Sequence, residues 1–166
     1  KLNINEIMKK YQNLIILKKV KNPEKYGVVK ILNNKIQKII EKPKKKLSNL
    51  AITGIYFFDE YTYKNARLLK PSKRKETEIV DLIKIYLKKN NLIFKILNNI
   101  EWSDVGTIDD FNKISNFIKS KEISNKKKIG CLEEIVLKNK WINKAQVKKN
   151  IDFYGECKYS NYLKKI

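Results

Sequence analysis

IEKPKKKLSNLAITGIYFFDE, residues Ile40 to Glu60, places a Glu-Lys-Pro triplet between two apolar runs and follows it with a glycine that leads into tyrosine and phenylalanines. Proline supplies no N–H to a β-ladder, so Pro43 ends the strand before it. The β-branched and aromatic run TGIYFFD then reads as another strand. Just upstream, YGVVKIL and KIQKIIEK are β-rich runs joined by Asn33-Asn34, a pair that tolerates the positive φ of a tight hairpin. LIILKKV, from Leu14 to Val20, is an apolar run of buried-strand type, and KNPEK turns the chain out of it. Ile4, Ile7, Met8 and Tyr11 precede that strand at helical spacing.

Downstream, YTYKNARLL reads as a short helix, PSKRKETEI as a polar loop entering a helix that runs to about Lys89, and LIFKIL as a further strand. Thr107, ahead of Ile108, Asp109 and Asp110, is an N-cap with acids in the first turn of a helix reaching about Lys121. Short helices are expected over residues 132–138, 144–150 and 159–164. The class is therefore mixed α/β, with an α/β part over 1–122 and a small helical segment over 123–166. The strands at 14–20 and 55–59 are expected to have open edges.

Of the 166 residues, 42% are hydrophobic, enough for a real core. Thirty-eight basic residues against 17 acidic give a net charge of +21, the usual first argument for a nucleic-acid or anionic-membrane partner. All but two of the basic residues are lysine, the exceptions being Arg67 and Arg74, and the lysines are scattered through every segment among Ile and Asn. That is the pattern of a coding bias toward A- and T-rich codons, and it reads as solvated surface rather than a polyanion groove. No apolar run approaches the roughly 18 residues of a membrane span, and KLNINEIMKK lacks the features of a signal peptide. A soluble, cytoplasmic chain with neither nucleic acid nor membrane as partner is expected, with Cys131 and Cys157 reduced. The sequence holds no histidine, which excludes His-based metal sites and Ser-His or Cys-His catalysis. Its five glycines are too widely separated for a P-loop or a dinucleotide-binding motif. A first residue of Lys rather than Met leaves open a processed chain, a piece of a longer one, or a missing start residue.

PEKYGVV, IIEKP, SNLAITGIYFFD, LKPSKRKETEI, WSDVGT, ISNFI and CLEEI, in that order and across nearly the whole chain, resemble the corresponding segments of the sugar-1-phosphate nucleotidylyltransferases. CLEEI and the short helices after it are similar to the glucose-1-phosphate thymidylyltransferase branch rather than the uridylyl or cytidylyl ones. The resemblance implies a Rossmann-like mixed sheet flanked by helices. It also implies a reaction in which the phosphate of glucose 1-phosphate attacks the α-phosphorus of dTTP, pyrophosphate leaves and dTDP-glucose forms, with Mg2+ as cofactor. That is the first step of dTDP-deoxysugar (dTDP-rhamnose) and cell-surface polysaccharide synthesis. A homotetramer regulated by a dTDP-sugar end product is implied as well, the helical tail supplying subunit and regulatory contacts. Such chemistry asks a protein mainly for positioning and charge stabilisation.

On this resemblance Glu41 binds the hexose and Lys42 its phosphate. Adjacent residues at a strand end point apart, so the acid can accept hydrogen bonds from hydroxyls while the lysine reaches the phosphate. Gly27 permits close approach of the sugar to the backbone, and Tyr56 lines the hexose pocket with a hydroxyl donor. Arg74 stands out on composition alone, because a planar guanidinium grips phosphate through two parallel hydrogen bonds and lysine cannot. The resemblance gives it the sugar phosphate, so Lys42 and Arg74 are the catalytic candidates. Asp104, in WSDVGT, resembles a magnesium-binding aspartate, and Trp102 beside it is read as packing. Glu76 and Glu78 either orient Arg74 or open the next helix as favourable N-terminal charges. Plainer readings stand beside these: an exposed Glu-Lys pair, a turn glycine, a core tyrosine and a surface arginine.

The nucleotide-binding signature of such enzymes, a glycine-rich loop with a Thr-Arg pair and a downstream lysine, is not among these residues. The chain therefore reads as the C-terminal half or more of an enzyme, with weak or no turnover alone. RKETEI carries a lysine where relatives usually have glycine after the arginine, and Glu101 and Ser103 flank Trp102 where apolar residues are usual. Three alternatives stay open: a UTP- or CTP-dependent relative, a non-catalytic remnant serving as an assembly subunit, and a basic nucleic-acid-binding module whose affinity would fall steeply with salt.

Overall fold

The computed structural model describes residues 13–166. The helix expected over INEIMKKYQ lies outside them. Two compact units divide the chain, one ending at Asp104 and the other beginning at Val105.

The described residues of the first unit form five strands: β1 (Leu14–Lys19), β2 (Gly27–Leu32), β3 (Lys35–Glu41), β4 (Leu50–Phe57) and β5 (Ile93–Leu97), in the sheet order β3-β2-β4-β1-β5. Asn33 and Asn34 both adopt positive φ, 48° and 58°, which is what a two-residue hairpin turn between β2 and β3 demands. Pro43 is buried just beyond the end of β3. Among the described residues only β1 and β5 pair in parallel. A parallel pair needs a long crossover, and the helices α1 (Thr62–Arg67) and α2 (Ile79–Lys88) lie in the chain between β4 and β5.

The expectation of an open edge at β1 is wrong. β1 is an interior strand with β4 on one side and β5 on the other, and Leu14, Ile15, Ile16 and Leu17 are all at most 1% exposed. Four consecutive buried residues require cover on both faces, unlike the alternation of a half-solvated strand. On one face Ile15 and Leu17 join Val29, Ile39, Ile52, Val80 and Ile83, so α2 packs there through Val80 and Ile83. On the other, Leu14 and Ile16 meet Leu97 and Phe57. Burying side chains of this size contributes about 1.5–3 kcal/mol each.

β4 is less regular. Its register against β1 jumps from Ile52 opposite Leu17 to Tyr56 opposite Ile15, and Gly54, inside that bulge, sits at φ 83° where a side chain would be strained. On its other side β4 pairs with β2 at Val28 and Ala51 alone. Past that pair the indole N–H of Trp102 donates to the Thr53 carbonyl at 3.0 Å, and the ring packs edge-on against Tyr26. Trp102 is thus packing, as its sequence context suggested, and it also satisfies a backbone acceptor that lies past the end of the β2–β4 pairing.

The second unit is helical: α3 (Ile108–Asn125), α4 (Leu132–Lys138), α5 (Lys144–Tyr154) and α6 (Lys158–Leu163). Thr107 caps α3 by accepting the Asp110 N–H, as its sequence predicts, and the helix runs a turn beyond Lys121 before Lys126 ends it in the left-handed conformation. Among the described residues no helix is long and apolar enough to cross a membrane.

Candidate functional site

Strand parity and one hairpin register bring the candidate residues of the first unit together. Gly27 stands opposite Glu41 in the β2–β3 ladder, and both share a face with the core pair Val29 and Ile39. The Glu41 side chain therefore points toward α2, not into solvent. A Cβ built on Gly27 would lie 2.9 Å from Val80 Cγ2 and 3.0 Å from Glu41 Oε2, so the absent side chain is what lets the carboxylate rest over the strand. Lys42 follows at φ 40°, its N–H donating to the Tyr26 carbonyl and its side chain exposed. The acid points in and the lysine out.

Tyr56 reaches the same face from β4. Its ring stacks on Phe58, which in turn stacks on Tyr86 of α2, with centroids 5.7 Å and 5.0 Å apart. Tyr86 is anchored by donating to Asp59 Oδ1 at 2.8 Å, so the aromatic ladder is tied down at its far end. Burial and the neighbouring Glu41 charge both hold the Tyr56 hydroxyl above the ordinary tyrosine range, leaving it a donor at neutral pH.

Arg74 comes to this group from the loop before α2. Its guanidinium lies 3.8 Å from Glu41, 3.4 Å from Glu78 and 2.9 Å from Glu76. The loop that carries it is closed by backbone bonds: Lys75 N–H to the Ser72 carbonyl and Ser72 N–H to the Glu76 carbonyl, each 2.8 Å. Ser72 Oγ accepts the Arg74 N–H and donates to Glu78 Oε1 at 3.0 Å. Both acids that could orient Arg74 do meet it. Burial, and after it the Glu78 charge, push the Glu41 carboxyl up from its usual value, while Lys42, Arg74 and Lys84 oppose the rise. Lys84, paired with Asp81 at 2.8 Å, is a member of this charge cluster that sequence reasoning missed. Its spacing from Val80 on α2 was the available signal.

The loop also explains an oddity of the sequence. Lys75 sits at φ 61°, a left-handed conformation for which glycine is the natural residue. We expect Lys75→Gly to unfold at or above the wild-type urea midpoint, because lysine already bears the roughly 1–2 kcal/mol that a Cβ costs in the left-handed region, and Lys75→Val to unfold below it, because a β-branched residue fits that region worse than lysine. A valine variant as stable as wild type would show that the turn can relax.

Asp104 is exposed at the end of the first unit. Among the described residues no group of three or more Asp, Glu or Cys forms a cluster that could hold a metal ion. Magnesium demands a near-octahedral set of oxygens, and one exposed carboxylate does not fit such an ion by itself. The segment leading to Asp104 is held to β4 by the Trp102 indole.

Residues 3–121 match the family described as Nucleotidyl transferase. The chain is 35% identical over 149 residues to a glucose-1-phosphate thymidylyltransferase of Neisseria meningitidis, covering 89% of this chain and 52% of that protein. It is 37% identical over 146 residues to the enzyme of that name from Xanthomonas campestris, covering 87% and 50%. The chain thus spans about half the length of the curated relatives it matches. Among solved structures it is similar to one designated a glucose-1-phosphate thymidylyltransferase, from Bacillus anthracis in complex with a sucrose, with a TM-score of 0.60, 36% identity and coverage of 69% of this chain and 46% of that one. A UDP-glucose pyrophosphorylase complexed with UDP-glucose is similar at a TM-score of 0.60 and 25% identity, covering 70% and 48%.

Proposed function

The chain belongs to the nucleotidyl transferase family, and on that footing we propose that it forms the sugar-phosphate side of a glucose-1-phosphate thymidylyltransferase. The observation that carries this reading is the meeting of Glu41 and Arg74 over Gly27, a carboxylate and a guanidinium on one face of the sheet. In the reaction a phosphate oxygen of glucose 1-phosphate bonds to the α-phosphorus of dTTP, the α–β bridging bond breaks, and pyrophosphate leaves with the bond's electrons. Glu41 accepts hydrogen bonds from the sugar hydroxyls, and Tyr56 donates one. Lys42 supplies a point charge to the phosphate and Arg74 a two-pronged grip, which together hold the nucleophile in line. Asp104 is assigned to the divalent cation as one ligand of a shell whose remaining oxygens it does not supply. The greater likeness to thymidylyl than to uridylyl relatives favours dTTP over UTP. Residues 1–122 are assigned to the substrate domain and 123–166 to subunit and regulatory contacts of a homotetramer, which sedimentation of the protein tests.

Binding separates this reading from a chance cluster. Glucose 1-phosphate titrated calorimetrically into the 166-residue chain is expected to bind, with Arg74→Lys weakening it about tenfold or more through loss of one charge-assisted hydrogen bond. Glu41→Gln is expected to lose binding while unfolding no more easily than wild type, because burial disfavours the charge it removes. Equal affinity in all three proteins would end the proposal.

A further inference from the structure

The three acids around Arg74 are not equivalent. Glu78 is held by Ser72 Oγ and its side chain is 13% exposed, Glu41 rests over Gly27 at 22%, and Glu76 stands at 59%. Glu78 and Glu41 share Nη1, whereas among the described residues Glu76 alone takes Nη2, at 2.9 Å. A phosphate gripped by two parallel bonds needs two adjacent N–H groups, and the outer nitrogen is ion-paired with this carboxylate. A carboxylate and a phosphate compete for the same donor at the same distance. Resting on the reading that Arg74 grips a sugar phosphate, we propose that Glu76 is a built-in competitor for that phosphate, holding the outer edge of the guanidinium until a phosphate monoester displaces it, while Glu78 keeps the group aimed.

The geometry supports displacement and not permanent occupation. Glu76 lies mostly in water, so its release is a small cost, and a phosphate monoester brings nearly twice its charge. Ligands without that charge gain less from Arg74 than the exposed carboxylate already supplies. Glu76 therefore raises the threshold for neutral sugars more than for sugar phosphates.

The chain has only two arginines, Arg67 and Arg74, so the arginine Nε–Hε region of an NMR spectrum holds two signals and reads the site directly. Inorganic phosphate and glucose 1-phosphate would be titrated into wild type, Glu76→Gln, Glu76→Asp and Arg74→Lys. We expect Glu76→Gln to tighten phosphate binding about two- to fivefold, the scale of one exposed ion pair, and Glu76→Asp to stay near wild type. Unchanged or weaker binding in Glu76→Gln, with the Arg74 signal still moving, overturns the competitor and leaves the Arg74 reading intact. A signal that no phosphate moves in any variant overturns the Arg74 reading, and the competitor falls with it.

Discussion

Gly27→Ala is expected to destabilise the first unit by about 1–3 kcal/mol, the usual cost of forcing one extra carbon into a packed core, and to abolish the placement of Glu41. The new Cβ would meet three atoms: Val80 Cγ2 at 2.9 Å, Glu41 Oε2 at 3.0 Å and Ile52 Cδ1 at 3.2 Å. They differ in how they can yield. Glu41 Oε2 is the free end of a long side chain, and it moves away cheaply at the expense of its position over the strand. Ile52 Cδ1 is also a chain end. Val80 is β-branched, stiff at χ1 and 1% exposed, so it can retreat only by shifting α2. The stability cost is therefore assigned to Val80 and the functional cost to Glu41.

That assignment is separable by a double-mutant cycle in urea. Val80→Ala alone removes buried methyl groups and should cost about 1–2 kcal/mol, but it also deletes the atom that the alanine meets. The double variant is then expected to be less unstable than the sum of the two single ones by 0.5 kcal/mol or more, the range for residues in direct contact. Simple additivity would mean that the strand, not α2, takes up the strain. In either case glucose 1-phosphate binding should stay lost, because Glu41 is still displaced.

What the sequence disclosed, and what it hid, follow from the range of the interactions involved. The Asn33-Asn34 turn, the Pro43 boundary and the Thr107 cap are decided by neighbours within a few residues, and all three are visible in the letters. Arg74 was visible for a different reason, as one of two arginines among thirty-six lysines, set in a polar loop. Its meeting with Glu41 was not visible, because it depends on which hairpin face α2 covers. The burial of β1 was legible in LIILKKV, but its having a neighbour on each edge was not, since its partner β5 pairs in parallel after a long crossover and no local period records that. Lys75 lies between these cases. It registered only as a departure from an expected glycine, and its φ of 61° supplies the physical reason that glycine suits the position.

Glu133→Gln is expected to destabilise the second unit by roughly 2–4 kcal/mol, because it disrupts several hydrogen bonds to one buried charge. The side chain, in a residue 4% exposed, accepts from the Tyr159 hydroxyl, from Tyr154 at 3.1 Å and from Asn150 at 3.4 Å, joining α4 to α5 and α6. Every one of these partners donates. Glutamine turns half of the acceptor into an NH2 group that faces donors, so it leaves groups unpaired instead of merely weakening them. Burial by itself would raise the Glu133 carboxyl, but the hydrogen bonds from Tyr159, from its own backbone N–H, and from Tyr154 and Asn150 outweigh it and hold the group below the ordinary carboxylate value. A depressed folded value contributes stability that is present above the unfolded value, about 4.3, and is lost as pH falls through the folded one. Unfolding of wild type followed by hydrogen exchange of α4–α6 amides should therefore show stability falling below about pH 4.3, with a shallower fall in Glu133→Gln. The Tyr154→Phe and Tyr159→Phe variants each remove one donor and leave the acceptor charged, so each should cost less than Glu133→Gln. A glutamine variant as stable as wild type at neutral pH would mean that these helices are held by apolar packing alone.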